Sequence, residues 1–277
     1  MRTKRTVGRE EYYTSQHLAE QCVQFAREHL SFDSFQHILE PSAGDGVFAR
    51  LLPEEKRICI DIHPRSELVQ KADFLKWHPP LLHGPILTIG NPPFGQRAAL
   101  AVKFVERACE FSDAVAFILP RSFRKHTFLN RIDPMFHLAG QFDCESFRTP
   151  EGEPLSVKSV FQVWIRHSVP RETIHLPTHH DHFTLKHFHL SRTSPEALEA
   201  ARRDFDFVIA QVGANFQPKS PADVSAGSYW FVKARHKGVR EVFGRLDFSF
   251  LEGTNTAFMS LSKKDIIRAY EEALDGE

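Results

Sequence analysis

The sequence has no surplus of charge of either sign. Its 35 lysines and arginines balance 35 aspartates and glutamates, which argues against a protein that grips long nucleic acid by bulk electrostatics alone. A local basic strip is compatible with overall neutrality, and the halves on either side of residue 170 are each close to neutral, so neither is a basic arm. Cysteine is scarce. Cys22, Cys59, Cys109 and Cys144 lie far apart with no CxxC spacing, and Cys59 and Cys109 sit in apolar runs, so they read as buried thiols of a protein in a reducing compartment. There is no run of about 18 apolar residues, and the basic leader MRTKRTVGREEYY is not followed by an apolar signal core. A soluble, cytoplasmic protein that does not enter a membrane is expected. Tyrosine and tryptophan are also few, at 4 and 3, against 25 phenylalanines. That bias points mainly to core packing, and secondarily to base-stacking surface.

With 277 residues, the chain suits one large α/β domain, residues 1–168, and a smaller α+β region, residues 169–277. Thr14-Ser15-Gln16-His17 can cap a helix carrying Leu18, Cys22, Phe25 and Ala26 at helical spacing. His37-Ile38-Leu39 is a short apolar strand that meets a glycine turn, and an amphipathic helix is expected from Val47. Strands are expected at 57–62, 85–90 and 114–119, and a helix at 98–111. Two closing strands, 139–147 and 159–167, have no room for a helix between them. Strands alternating with helices predict a doubly wound, largely parallel sheet, and the closing pair predicts an antiparallel edge hairpin. Farther on, 174–190 alternates weakly, 196–204 is helical in pattern, 207–213 and 229–234 are strand-like, 217–228 is a loop and Ser262 opens a final helix.

Two motifs carry chemistry. In Glu40-Pro41-Ser42-Ala43-Gly44-Asp45-Gly46, the glycines let the backbone turn sharply and approach a ligand with no Cβ in the way. The spacing is not GxGxxG, so a dinucleotide pyrophosphate is not the natural guest. Asp61, followed by Ile62 at the end of the second strand, can accept hydrogen bonds from ribose hydroxyls. Asp73 offers an acceptor for an adenine amino group, beside the apolar Phe74. A nucleoside with a short charged tail fits these groups.

The second motif is Asn91-Pro92-Pro93-Phe94, directly after an apolar strand. An aromatic amino nitrogen is a poor nucleophile because its lone pair is delocalised. Two acceptors aimed at its hydrogens, the Asn91 side-chain oxygen and the Pro92 carbonyl, favour a more tetrahedral nitrogen. They also stabilise the positive charge that develops on it. Pro92 and Pro93 stiffen the turn, and Phe94 offers a ring face to a base taken out of its stack.

In this order and separation, the two motifs resemble class I methyltransferases that act on adenine N6 and similar planar nitrogens, over roughly residues 12–167. Tyr13-Thr14-Ser15 is similar to the Tyr-Thr-Pro segment of gamma-class DNA adenine methyltransferases, with Ser15 in place of the proline. NPPFGQRAALAVKF is also similar to the matching stretch of cap-specific adenosine N6-methyltransferases, which act on RNA. Glutamine N5-methyltransferases share an Asn-Pro-Pro-Tyr turn but carry a helical domain ahead of the donor site.

The resemblance implies a Rossmann-like sheet and S-adenosyl-L-methionine as cofactor. It implies that Tyr13 and Thr14 line the methionine end of the donor. Glu40, Gly44 and Gly46 would contact its amino and carboxylate region, Asp61 its ribose, and Asp73 and Phe74 its adenine, with Ser42 and Ile62 also among the donor-binding residues. Asn91, Pro92, Pro93 and Phe94 would receive the target base at the point where Asn91 also meets the donor. The expected activity is methyl transfer to adenine N6 in nucleic acid, DNA slightly ahead of RNA, with a glutamine amide or a non-catalytic donor-binding subunit as lesser alternatives.

Three weaker signals complete the reading. Arg121, Arg124, Lys125 and Arg131, interleaved with Phe123 and Phe128, suit phosphate contacts and stacking. Residues 148–158 suit a mobile loop over the target pocket. The histidines at 175, 179, 180, 182, 187 and 189 form no familiar zinc motif, so no metal is expected, and they read as surface or target-contacting groups.

Overall fold

The structure, a computed structural model, describes residues 13–79, 83–149, 152–254 and 259–275. Residues 1–12, the greater part of the basic leader, lie outside that set. Two compact units divide at residues 173 and 174. Among the described residues, no helix is long and apolar enough to cross a membrane.

Unit 1 is built on an eight-stranded sheet. Its strands are β1 (Tyr13–Thr14), β2 (His37–Glu40), β3 (Arg57–Asp61), β4 (Gln70–Lys71), β5 (Ile86–Gly90), β6 (Ala114–Pro120), β7 (Phe136–Arg148) and β8 (Pro154–Arg166). They stand in the order β1-β7-β8-β6-β5-β2-β3-β4. The run from β4 to β6 is parallel, while β8, β7 and β1 pair antiparallel. This is the Rossmann-like sheet with an antiparallel edge hairpin. The chain leaves β2 toward β3 and β4, then returns to β5 on the other side, so the strand order reverses between β2 and β5. A doubly wound sheet opens its ligand crevice at such a reversal, beyond the carboxyl ends of the strands.

Side chains alternate across the sheet because strand residues point to opposite faces in turn. Along β6, Ala114, Ala116 and Ile118 enter one core with Leu18, Cys22 and Ala26 of α1 (Gln16–His29). Val115, Phe117 and Leu119 enter the other core, with Ala101, Val102 and Val105 of α2 (Ala99–Cys109). Helix α1 starts where its sequence signal lies: Ser15 is the N-cap and its hydroxyl accepts from Leu18 N at 3.2 Å, satisfying one of the amides a helix start leaves unpaired. A short α3 (His126–Leu129) follows the turn after β6.

Two expectations are corrected. No α-helix begins at Val47; the chain makes turns and one 3-10 turn at Ala49–Leu51. Pro53 lies two residues beyond and cannot supply a helical amide, so the apolar spacing from Val47 serves a compact turn instead. The loop expected over 148–158 is largely strand, since β7 runs to Arg148 and β8 begins at Pro154. Within that span, residues 150 and 151 lie outside the described residues.

Unit 2 holds the three-stranded antiparallel sheet β10-β11-β9, from β9 (Phe183–His189), β10 (Phe207–Ala210) and β11 (Ser228–Ala234). Phe188, Val208 and Phe231 pack with Ala201 of α4 (Pro195–Asp204). Phe183, Leu185, Phe207 and Val232 pack with α5 (Val239–Phe243) and α6 (Lys263–Asp275). The phenylalanine excess goes into packing. Nine of the twelve largest fully buried side chains among the described residues are Phe, in both units.

Phe117 is fully buried in the central strand β6. Its truncation removes apolar burial and leaves a cavity. Phe117→Ala is expected to cost about 3–5 kcal/mol of unfolding free energy, read from the midpoint in urea at an unchanged slope. A loss below about 1 kcal/mol would contradict this placement in the core.

Candidate active site

The glycine turn leaves the end of β2 with both glycines in the left-handed region, Gly44 at φ +52° and Gly46 at φ +79°. An L side chain there meets its own backbone. At Gly44 a Cβ would also lie 3.3 Å from the Tyr13 ring, and at Gly46 it would lie 3.0 Å from Ser66 Oγ. The turn is held by Asp61 at the end of the adjacent β3: its Oδ2 accepts from Gly44 N at 2.9 Å, and its Oδ1 from His63 N at 2.7 Å. A carboxylate oxygen has a second lone pair, so Asp61 retains acceptor capacity. Ile62 beside it is 49% exposed, an apolar surface open at the strand ends.

Glu40, the last residue of β2, is only 1% exposed, and its Oε2 has no hydrogen-bond partner. Burial pushes its carboxyl up from 4.5 to about 8; a hydrogen bond with Cys59 opposes the shift, and the charges of Asp45 and Asp61 add to it. Cys59 faces Glu40 across the β2–β3 register, and its own thiol is pushed up, first by burial and then by Glu40. A buried carboxyl with one unsatisfied oxygen is costly alone and favourable beside a cation.

Beyond β5, Asn91 begins the Asn-Pro-Pro-Phe turn. Its side chain is held by Thr14, with Nδ2 donating to Thr14 Oγ1 at 3.1 Å. Its backbone carbonyl accepts from Ser42 Oγ at 2.9 Å. Its side-chain Oδ1 is buried without a partner. Pro92 is buried and Pro93 exposed, and the Phe94 ring is half-buried against the cores on both faces of the sheet. The Phe94 carbonyl accepts from Leu100 N and Ala101 N, both at 3.2 Å, which ties the turn to the start of α2. Between them, Arg97 and Ala98 adopt φ of +53° and +63°, a backbone strain that gathers at functional loops more often than elsewhere.

The contacts therefore bring together Tyr13, Thr14, Glu40, Ser42, Gly44, Asp61 and Asn91, from four strand ends. Asp73 stands just past β4. There Ala72 N donates to the Asp61 carbonyl at 2.9 Å, and Asp73 Oδ1 accepts from Leu75 N at 3.1 Å. The Phe74 ring is directed elsewhere: it is 1% exposed and packs on Phe104 and Phe111, so only its backbone is left for a ligand.

The basic residues beyond β6 are largely committed within the protein. Arg121 pairs with Asp143 at 3.3 Å and Glu145 at 2.8 Å, Arg124 with Asp143 at 2.9 Å, and Arg131 with Glu106 at 2.8 Å. Lys125 follows the same turn, at the N-cap of α3.

Three residues enter the site that the motifs do not name. Arg65 and Arg148 lie over the Tyr13 ring, 5.2 and 5.5 Å from its centroid, and Arg148 forms an ion pair with Asp45 of the glycine turn. Arg148 reaches Asp45 from 103 residues away and had no local signal. Cys59 was visible only as an apolar strand residue; its bond to Glu40 needs the strand register.

The histidine-rich segment belongs to unit 2. His182 Nδ1 lies 3.2 Å from the Tyr270 hydroxyl, and the His180 ring stacks on Phe183 at 5.0 Å. No group of three or more metal-ligating side chains is set to hold an ion among the described residues.

No family model matches the chain, and no curated protein matches it. Several solved structures are similar. A protein from Pyrococcus horikoshii, provisionally assigned as an RNA methyltransferase, is 17% identical with a TM-score of 0.44, over 57% of this chain and 88% of its own. The 23S rRNA methyltransferase ErmE is 17% identical with a TM-score of 0.40, over 95% of this chain and 99% of its own. The N-methyltransferase NodS from Bradyrhizobium japonicum is 12% identical with a TM-score of 0.38, over 54% and 96%. Strand order and direction, not these distant likenesses, carry the fold assignment.

Glu40 yields a test with a definite sign. Its folded pKa of about 8 lies above the ordinary 4.5, so the folded state holds a proton the unfolded state gives up between those values. Its contribution to stability is full below pH 4.5, declines as pH rises, and is gone above about 8. Glu40→Gln is expected to lack that decline, so its Tm should gain on that of the natural protein from pH 5 to pH 8. Parallel Tm curves across that range would show that Glu40 is not held neutral by burial.

Proposed function

We propose that this chain is an S-adenosyl-L-methionine-dependent methyltransferase that modifies adenine N6 in nucleic acid, with DNA placed ahead of RNA. The observation that carries the reading is the unpartnered, buried Oδ1 of Asn91, a residue just past β5 whose backbone carbonyl is bonded by Ser42 to the glycine turn at the end of β2. A buried acceptor left unmade costs about 1–3 kcal/mol, and a target amino group donating to it removes that cost.

The residues around the glycine turn fit the donor. Glu40 Oε2, buried and unsatisfied, suits the ammonium of an amino-acid tail. The side-chain-free surface at Gly44 and Gly46 admits close approach, Asp61 keeps lone pairs for ribose hydroxyls, and exposed Ile62 offers an apolar face to a purine. Bound there, the donor would supply an electrophilic methyl group, with its sulfonium sulfur as the neutral thioether leaving group.

The protein's own part is electrostatic and positional. Asn91 Oδ1 and the Pro92 carbonyl accept from the two hydrogens of the target nitrogen, localising its lone pair and opposing the positive charge that develops. No strong base is required, because the methylated nitrogen sheds its extra proton readily to water. The part of the Phe94 ring left exposed offers a face for a flipped base. Phosphates reaching Arg121 and Arg124 would take the places of the Asp143 and Glu145 carboxylates, an exchange of one anion for another. Tyr13, with its ring beside Gly44, and Thr14, bonded to Asn91, support the likeness to the DNA-modifying class.

Tritiated donor offered with DNA and with RNA, followed by digestion to nucleosides, tests the reading. Label is expected in N6-methylated adenine nucleoside from DNA. Label in RNA alone would move the activity to the other polymer, and label only in protein would end the nucleic-acid reading. Asn91→Ala is expected to lower transfer on the order of 10²–10³-fold while leaving donor binding in place.

A further inference from the structure

Asn91 does not set its own orientation. A primary amide is nearly symmetric in shape, yet one end donates and the other accepts. Turned over, Asn91 would aim an NH₂ at the NH₂ of the target, and the acceptor needed for transfer would face away. Some other group must hold the amide in place, and it must itself be rigid.

Thr14 meets that need. Its Oγ1 lies 3.1 Å from Asn91 Nδ2, and the residue is 4% exposed. The backbone on each side is fixed by separate contacts. Tyr13 and Thr14 form β1, in register with Arg148 and Phe147 of β7. The next residue, Ser15, caps α1 and lies with its hydroxyl 3.2 Å from that of Ser146. Threonine is branched at Cβ, so its side chain has few rotamers to choose among. On the other side of Asn91, Ser42 holds the main-chain carbonyl. With Nδ2 and the carbonyl both engaged, Oδ1 is the one polar atom of that side chain without a partner.

We propose that Thr14 is a positioning residue, whose bond to Nδ2 anchors the Asn91 amide and so holds Oδ1 toward the target nitrogen. This rests on the reading of Asn91 given above. It assigns Thr14 to the acceptor side of the reaction rather than to the methionine end of the donor. Group positioning of this kind commonly changes rate by about 10²-fold when it is lost.

The test uses the full chain with Thr14→Val, which keeps shape and branching and removes only the hydroxyl, and Thr14→Ser, which restores it. Thermal melting first establishes that both variants fold. Thr14→Val is expected to lower kcat about 10–100-fold with the donor Kd, measured by calorimetry, within about twofold of the natural protein. Thr14→Ser is expected to recover most of the loss. A Thr14→Val variant that weakens donor binding in step with kcat/KM and keeps kcat would overturn the proposal.

A second measurement does not depend on the substrate. The side-chain NH₂ signals of Asn91, identified by their absence from an Asn91→Ala spectrum, should exchange slowly with water in the natural protein and in Thr14→Ser, and fast in Thr14→Val. Equal exchange in all three would overturn the proposal even if transfer is seen. Should the natural protein methylate neither DNA nor RNA, the proposed function fails, while this measurement still decides whether Thr14 holds the amide.

Discussion

The Ser42 hydroxyl that donates to the Asn91 carbonyl joins two loops separated by 49 residues of chain. The rest of the site depends on that join. Ser42 lies on the turn that leaves β2 and Asn91 on the turn that leaves β5, and these strands are neighbours only because the sheet reverses its order between them. Asp61 adds the third strand end by accepting from Gly44, and Thr14 adds a fourth from the antiparallel edge. The helices bury the two faces of the sheet, but it is this set of short polar bonds at one edge that brings the glycine turn beside an unsatisfied acceptor.

Much of this was legible because it is local. The alternating Ala-Val-Ala-Phe-Ile-Leu of β6 divides between two cores as a doubly covered strand must. Ser15 lies where a helix cap belongs, and Gly44 and Gly46 take the left-handed angles their presence suggests. What stayed hidden involves partners distant in sequence. Nothing near Val47 says that its apolar spacing will form a turn rather than a helix, apart from Pro53. Phe74 is an aromatic beside a plausible ligand group, yet its ring is claimed by Phe104 and Phe111. Arg121, Arg124 and Arg131 look like a free basic strip until Asp143, Glu145 and Glu106 arrive from other elements.

The polar groups of the site also divide into two kinds. Asp61 and Ser42 are engaged within the protein and act as fasteners. Glu40 Oε2 and Asn91 Oδ1 are buried and unsatisfied, against the general rule that buried polar atoms find partners. They lie at the ends of β2 and β5, the two strands beside the reversal. The bonds already made hold the frame, while the two open oxygens and the remaining lone pairs of Asp61 keep capacity for what binds.

The cysteines bear on how the protein can be studied. All four are buried and unpaired, with thiols pushed up first by burial. A thiol in that state is a poor nucleophile at neutral pH. They fall on α1, β3, α2 and β7, all in unit 1, and unit 2 contains none. Alkylating reagents would therefore reach them only during transient openings of the sheet and its helices. The chain carries four native clocks for motion in one unit, and a cysteine introduced anywhere in the other would be read against a silent background.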